Sequence, residues 1–440
     1  MTLHNSIFTL WTRKVKPGLL LDYEDAVFGP QPAWSVEPNV EVICVIASRS
    51  LAAGECEVEY LAEGSINKVY SIKCKQKNRS SDWVLRVALP VYPSLRTLSE
   101  VATIEYVWLE TDLRVPRVHH FDASFHNELG FEWIIQDRVS GETLETKWHD
   151  VSWMMKDILV RKVIDYLSKL FGDRFDHIGS LYAKKHLSYL SEEHKPSVVD
   201  VDEQYCLGDV VSLPFFVGNH LTQNISRGPF KSSQHWLAAR LQVLINDTEN
   251  LPPDAEEYDI ERATNIKPLA LRLLALLPKV FPETDEEFVL HNHDLNTQNI
   301  IVDTDGKLKG VVDWECIHTA PLWFACQLPE FLRGRTRHEL PTKTEFLYKE
   351  EDMDEEVVDE MYYQQQEEYE KTCLRRFFFE EMNRVQPEWV KIFKESELKA
   401  DFERAVEFYT YELLFQRICA WVQDVEQDQE PSSLKDAIRN

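Results

Sequence analysis

The sequence predicts an α+β fold of two lobes: a small antiparallel sheet with one helix, then a large, mainly helical lobe. Three observations support this. Between Val58 and Val139 the chain reads as strands interrupted by one helical stretch. After Gly141, apolar residues recur at helical spacing over most of the remaining length. Inside that helical part lies one clear hairpin, His291 to Glu315, which carries an Asp, an Asn and a second Asp at set separations.

Taken in order, residues 1–56 form an N-terminal extension with a single apolar run, Val40 to Ala47. The small lobe spans 57–139. Lys68 to Ile72 and Trp83 to Val87 are rich in β-branched and aromatic residues and read as strands, with the polar run NRSSD as the turn between them. Leu98 to Leu113 reads as a helix, with Val101, Ile104 and Trp108 on one face, Thr97 or Ser99 as cap, and Pro116 beyond its end. Val118 to Phe121 and Phe131 to Gln136 complete a β-β-β-α-β-β order. The large lobe spans 140–440, with helices expected at Met154 to Leu170, Ser233 to Ile245, Ala263 to Leu277 and Asp401 to Val422. An acidic insertion is expected over about 345–372.

Composition narrows the function. At 440 residues with 44% hydrophobic content, the chain can bury a full core. A formal charge of −27 disfavours nucleic-acid and anionic-membrane surfaces, which attract basic patches. Eleven acidic and no basic residues lie between Glu350 and Glu370, which reads as a solvated, exposed segment. The eight cysteines show no Cys-x-x-Cys or zinc spacing and are expected as reduced thiols in a cytoplasmic setting. No apolar run reaches the length of a membrane span. Arg13, Lys14 and Lys16 without a nearby acid form a weak mitochondrial targeting hint.

The hairpin carries the chemistry. Asp305-Gly306 lies between Ile300-Ile301-Val302 and Leu308, Val311 and Val312. An Asp-Gly pair so placed predicts a two-residue type I′ turn, which needs φ > 0 at both central positions. Thr304 then faces Lys307, and counting outward sets Asn299 opposite Val312 and Gln298 opposite Asp313. Asn299 and Asp313 thus share the open end of the hairpin. An amide oxygen beside a carboxylate suits Mg²⁺, which prefers oxygen ligands and retains waters and substrate phosphates. Asp294, in the preceding loop, is within reach of a substrate hydroxyl as a base. Phosphoryl transfer from a nucleoside triphosphate is the chemistry this set fits, whereas Asp303 and Asp305 are turn residues.

That chemistry also needs a phosphate cover, a cation and a residue to orient the cation. Gly64-Ser65 precedes a strand and offers backbone N–H groups to phosphates. Arg86 is the sole charge in the apolar run Val84 to Pro90, and Glu100 is its expected partner. Gln136 to Val139 connects the lobes, where an adenine edge would meet the backbone. Neither a Walker A motif nor G-x-G-x-x-G is present.

With these residues placed, the chain resembles the aminoglycoside phosphotransferase and choline kinase-like family, most of all its fungal branch. The resemblance runs from about Glu57 to Phe331 and rests on GSINKVYSI, WVLRVALP, SEVATIEYVW, VPRVHHFD, WIIQDRVSG, HDLNTQNIIVD and GVVDWE. It implies a protein-kinase-like bilobal fold and ATP- and Mg²⁺-dependent transfer of the γ-phosphate to a hydroxyl of a small molecule. It implies Asp294 as catalytic base, Asn299 and Asp313 as metal ligands, and Gly64, Ser65, Arg86, Glu100 and Gln136 around the nucleotide. The family usually has His two positions before the base; this chain has Asn292 there, between His291 and His293. GPFKSSQHW and ECIHTAPLWFACQLPEFL are expected in the helical-lobe core and acceptor pocket, with Trp314, Glu315 and Trp323 as candidate walls. The alternative is a pseudokinase or nucleotide-binding interaction module without turnover. A protein kinase fits least, because Trp-Glu follows Asp313 and no Ala-Pro-Glu occurs.

Overall fold

The computed structural model describes residues 19–22, 31–76, 79–188, 190–191, 195–251, 255–349 and 356–435. Residues Arg13, Lys14 and Lys16 and the acidic stretch 350–355 lie outside the described residues.

Helix α1 (Val40–Ser50) is capped by Asn39, whose side chain accepts from the N–H groups of Glu41 and Val42. The small-lobe sheet follows: β1 (Cys56–Glu63), β2 (Asn67–Gln76) and β3 (Arg79–Ala88), then helix α2 (Leu95–Glu110), then β4 (Val118–Asp122) and β5 (Glu132–Asp137). All pairs are antiparallel, in spatial order β1-β2-β3-β5-β4. Ile43, Ile46 and Ala47 of α1 pack with Tyr70, Ile72, Leu85 and Ile135 on one face of this sheet. Burying each of the two isoleucines contributes roughly 1.5–3 kcal/mol. The described part of the N-terminal extension therefore supplies one layer of the small-lobe core.

Several local expectations need correction. The strands β2 and β3 pair out to Gln76 with Arg79, so NRSSD is mostly strand and the turn shrinks to residues 77–78, outside the described residues. Helix α2 starts and ends three residues earlier than expected, and neither Thr97 nor Ser99 caps it. Its first turn is held instead by Glu132 of β5, which accepts from Ser94 N–H at 2.6 Å and from the Thr97 hydroxyl at 2.5 Å. This cap comes from another element, so no local pattern announces it. Cys56 and Cys74 are not free thiols. They face each other across β1 and β2 with Cα atoms 4.2 Å apart and form a disulfide. Strand register, invisible in their spacing, brings them together. The other six cysteines are free.

Two residues past the small lobe, Gly141 adopts φ +140°, and a Cβ there would lie 2.3 Å from the Val302 carbonyl oxygen. Only glycine lets the connection pass this close to the hairpin. The strand β6 (Glu142–Thr143) then pairs with that hairpin. The large lobe continues with α3 (Trp153–Gly172), β7 (Ser180–Ala183), β8 (Tyr205–Gly208), α4 (Ser233–Glu249) and α5 (Glu257–Val280). Ser152 and Ser232 cap α3 and α4 by accepting from N–H groups in their first turns. Next come β9 (Phe288–His291), β10 (Ile300–Val302), β11 (Leu308–Val311) and β12 (His318–Pro321), with β9 paired to β12. The pairs β7–β8 and β9–β12 were not expected, because four-residue strands give too short a pattern to distinguish from helix or loop.

The C-terminal part holds α6 (Glu360–Val385), α7 (Pro387–Glu395), α8 (Glu397–Glu407) and α9 (Glu412–Glu426). The single helix expected over Asp401 to Val422 is two helices, parted at Phe408 to Tyr411. No Gly or Pro marks this break. A short hairpin (Leu347–Lys349 with Glu356–Val358) leads into α6, whose Leu374, Phe378 and Met382 join the large-lobe core. The acidic run thus continues into a core helix. Its Glu370 accepts from Trp148 Nε1 at 2.8 Å and from Lys156 Nζ at 2.6 Å, and Lys156 is almost fully buried. Among the described residues no helix is long and apolar enough to cross a membrane.

Two outcomes are expected. Burial pushes Glu132 up to about 7, against the hydrogen bonds from Ser94 and Thr97. A carboxyl raised above its unfolded value stabilises the fold below that value and loses this contribution as pH rises through about 7. Glu132→Gln should therefore flatten the fall in Tm between about pH 4.5 and 7 relative to the unaltered protein. Glu370→Ala strands the buried Lys156 ammonium and should cost about 3 kcal/mol or more in urea unfolding. Glu360→Ala, on the exposed start of the same helix, should leave the midpoint unchanged.

Candidate functional site

The hairpin forms with a different turn from the one expected. Gly306 N–H donates to Asp303 and Asp303 N–H to Lys307, and of the two residues Asp305 and Gly306 only Gly306 has positive φ, +79°. The loop is Thr304-Asp305-Gly306, three residues long, rather than a two-residue type I′ turn. One extra residue, Lys309, bulges out of β11 and restores the register, so that Ile300 faces Val311 and Val312 N–H reaches the Asn299 carbonyl at 2.9 Å. The open end is therefore the one read from the sequence, with Asn299 beside Val312.

The loop before β10 is closed by side-chain amides. Asn292 is buried, and its amide oxygen accepts from Asp294 N–H at 2.9 Å. Asp294 Oδ1 accepts from Asn296 Nδ2 at 2.7 Å, and Asp294 Oδ2 accepts from Asn299 Nδ2 at 2.9 Å. Asn296 Oδ1 in turn accepts from the N–H groups of Gln298 and Asn299. The Asp294 carboxylate is thus clamped on both oxygens. Asn296 was not singled out from the sequence, although Asn two residues after Asp is a known loop-closing pattern. Of the imidazoles around this loop, His291 is half-buried and packs edge-on to Phe324 at 5.4 Å, whereas His293 is exposed to the cleft and lies 6.2 Å from the buried His318. Burial lowers the value of His318 to about 4, and also lowers that of His291.

A charged network joins the lobes. Arg86 of β3 pairs through Nη1 with Glu100 of α2, and its Nη2 lies 3.2 Å from Asp313 and 3.5 Å from Glu315. Arg96, also on α2, donates to Glu315 at 2.6 Å and to the Asn67 amide oxygen at 3.2 Å. Asn67 Nδ2 closes the ring on Glu315 at 2.8 Å. Sequence reasoning found Arg86, Glu100 and Asp313 but missed Arg96 and Asn67. Their one signal was a charge in an otherwise helical first turn and an Asn at a strand start. Burial works against the Arg86 charge, but Glu100, Asp313 and Glu315 outweigh it and hold the guanidinium protonated. Burial would raise Glu315, yet Arg96 and Arg86 hold it low. Asp313 is pushed up to about 6 by burial and by Glu315, with Arg86 opposing.

Asp313 has φ +62°, a left-handed conformation that costs a non-glycine residue roughly 1 kcal/mol. That turn aims its carboxylate at Arg86. Three carboxylates (Glu100, Asp313, Glu315) face two guanidiniums, with Asp294 adding to the field on Asp313. The surplus is negative. The Asn299 amide oxygen accepts no hydrogen bond among the described residues. An oxygen-only donor set with surplus negative charge fits Mg²⁺ that keeps waters and phosphates as its remaining ligands. No group of three or more His, Cys, Asp or Glu forms a complete metal site among the described residues.

Asp294, Asn299, Asp313, Arg86, Gly64, Ser65 and Gln136 all line one cleft of about 1500 Å³ between the lobes; Glu100 stands behind Arg86. Gly64 needs no special φ, and a Cβ there would meet nothing within 4 Å. Gln136 is buried and its Oε1 has no partner. Of the candidate walls, Glu315 and Trp323 line the cleft, whereas Trp314 is fully buried and donates to the Val311 carbonyl at 2.9 Å.

The chain is 25% identical over 345 residues to a subtelomeric hrmA-associated cluster protein of Aspergillus fumigatus, covering 69% of this chain. It spans 65% of the length of that relative. The mitochondrial protein "altered inheritance of mitochondria protein 9" of Candida tropicalis is 25% identical over 182 residues, 38% of this chain and 29% of its own. Among solved structures, an ethanolamine kinase of Plasmodium vivax aligns at TM-score 0.39 and 11% identity, covering 97% of this chain and 90% of its own. A spectinomycin phosphotransferase bound to ADP and spectinomycin aligns at TM-score 0.37 and 9% identity, covering 92% and 98%. The model of the phosphotransferase enzyme family matches residues 57–324, which takes in both the small lobe and the hairpin, and the chain belongs to that family.

Proposed function

We propose that this protein is an ATP- and Mg²⁺-dependent phosphotransferase that transfers the γ-phosphate to a hydroxyl of a small molecule. The observation that carries the reading is the convergence of Asp294, Asn299, Asp313 and Arg86 on one cleft between the lobes.

Asp294 is the base. With both carboxylate oxygens fixed by amides, it orients the acceptor hydroxyl and takes its proton as the oxygen attacks phosphorus. Asn299 and Asp313 hold the metal, which when bound supplies positive charge to the phosphate oxygens. Arg86, held charged by Glu100, binds the phosphates once its contact with Asp313 is exchanged for them. The backbone at Gly64 and Ser65 covers the phosphates, and the open space at Gly64 supports a close approach there. Gln136 faces the base, where its unpartnered oxygen accepts from an exocyclic amino group. Catalysis rests on positioning and charge neutralisation. Arg96 and Asn67 act through Glu315 and set the distance between α2 and the Asp313 turn.

Asp313→Ala is expected to abolish Mg²⁺-dependent ATP stabilisation in a thermal-shift assay, and turnover with it. Asp294→Asn should keep the ATP shift but lower kcat about a hundredfold or more. If Asp313→Ala leaves both binding and turnover intact, the assignment is wrong. ATP binding without turnover of any hydroxylated acceptor would favour a non-enzymatic module. Arg96→Met leaves Glu315 with only Asn67 and the longer Arg86 contact and should destabilise by about 2 kcal/mol, part of it recovered in the Arg96→Met, Glu315→Met pair.

A further inference from the structure

The small lobe carries its phosphate-covering loop at the margin of the sheet. Residues 64–66 join β1 to β2, and β1 is an edge strand, exposed along most of its length. Its pairing with β2 is irregular between Tyr60 and Ala62, just before the loop. A Cβ at Gly64 would meet nothing within 4 Å, so this end of the loop gains no packing from its surroundings. An exposed, irregularly paired edge does not by itself keep such a loop in one place.

The loop is held from behind by a segment that precedes the family match, which begins at residue 57. Asn67 and Val69 line the cleft, and strand alternation turns Lys68, between them, to the opposite face. Lys68 is only 5% exposed. Its Nζ donates to both carboxylate oxygens of Glu37 at 2.6 Å. It also lies 3.4 Å from Glu63, its cross-strand partner at the other end of the loop. The same ammonium sits 5.1 Å from the centre of the Trp34 ring, and Trp34 packs on Phe131 at 5.2 Å. Burial works against the Lys68 charge, but Glu37 and Glu63 more than offset it. Glu37 is itself anchored. Pro38 beside it is buried, and Asn39 caps α1, which packs on the sheet through Ile43, Ile46 and Ala47.

Resting on the phosphotransferase reading of the cleft, we propose that residues 34–39 belong to the nucleotide site: Glu37 and Trp34 grip Lys68 and thereby hold the Gly64-Ser65 loop from the face opposite the phosphates. Neither lines the cleft, so both are positioning residues. Their contribution is preorganisation. A loop already held in its phosphate-binding position loses less entropy when ATP binds. The Glu37 side chain is 72% exposed, so water screens the pair and it adds little to overall stability. What it fixes is the place of Lys68, and with it both ends of the loop.

The full chain is titrated with Mg²⁺-ATP at a temperature where every variant is folded. No binding by the unaltered protein overturns the phosphotransferase reading and this proposal with it. Glu37→Ala should raise the Kd roughly fivefold, through lost preorganisation at one loop, while lowering Tm by less than about 3 °C. Lys68→Met keeps the buried stem, removes the charge and should raise the Kd at least as much. Adding Glu37→Ala to Lys68→Met should change the Kd less than about twofold further, because the pair acts as one unit. Arg49→Ala breaks a surface pair between α1 and Glu128, elsewhere on the same extension, and should leave the Kd unchanged. An unchanged Kd in Glu37→Ala overturns the proposal. So does a full second loss in the double variant, or an equal loss in Arg49→Ala, which would make the effect one of general packing.

Discussion

Two guanidiniums buried in a protein interior need carboxylates to offset their desolvation, and these carboxylates come from both lobes. Arg86 and Arg96 belong to the small lobe; Asp313 and Glu315 belong to the turn after the hairpin. Removing either side strands a buried charge, which costs several kcal/mol. This mutual dependence fixes where α2 and the Asp313 turn sit relative to each other. The cleft and the convergence of Arg86, Asn299 and Asp313 on it follow from that placement.

The network also explains a backbone oddity. Asp313 takes a left-handed conformation that its side chain does not favour. The cost is offset by the Arg86 contact, and the turn in exchange places the carboxylate at the mouth of the hairpin rather than along its edge. Gly141 plays the opposite part: there a side chain is excluded, so that the lobe connection can run against the Val302 carbonyl and lock the hairpin to β6. One position accepts strain to aim a group, the other gives up a side chain to allow close packing.

Carboxylates outnumber guanidiniums in both halves of the cleft. Around Asp313 the surplus of carboxylate suits a divalent cation and the phosphates it carries. Along α4 and α8, the single Arg240 is held between Glu403 and Glu407, and Trp236 packs under its guanidinium.

The β-β-β-α-β-β order, the helical second lobe and the Asn299–Val312 register are legible in the amino-acid sequence, because they follow from periodicity and one Asp-Gly pair, which are local properties of the chain. The spacing of Asp294, Asn299 and Asp313 is readable because a hairpin converts sequence distance into spatial distance by counting. The remainder depends on contacts between distant segments. Glu132 capping α2, Cys56 meeting Cys74, Glu370 neutralising Lys156 and Arg96 meeting Glu315 each join residues whose separation carries no periodic signal. Even the turn type escapes a local reading, since the bulge at Lys309 that compensates it is set by pairing across the strands. The sequence by itself determined the main elements and the spacing of Asp294, Asn299 and Asp313, because those are written in nearest-neighbour patterns. Tertiary structure alone decided which charges meet, because burial and partnership exist only once the chain is packed.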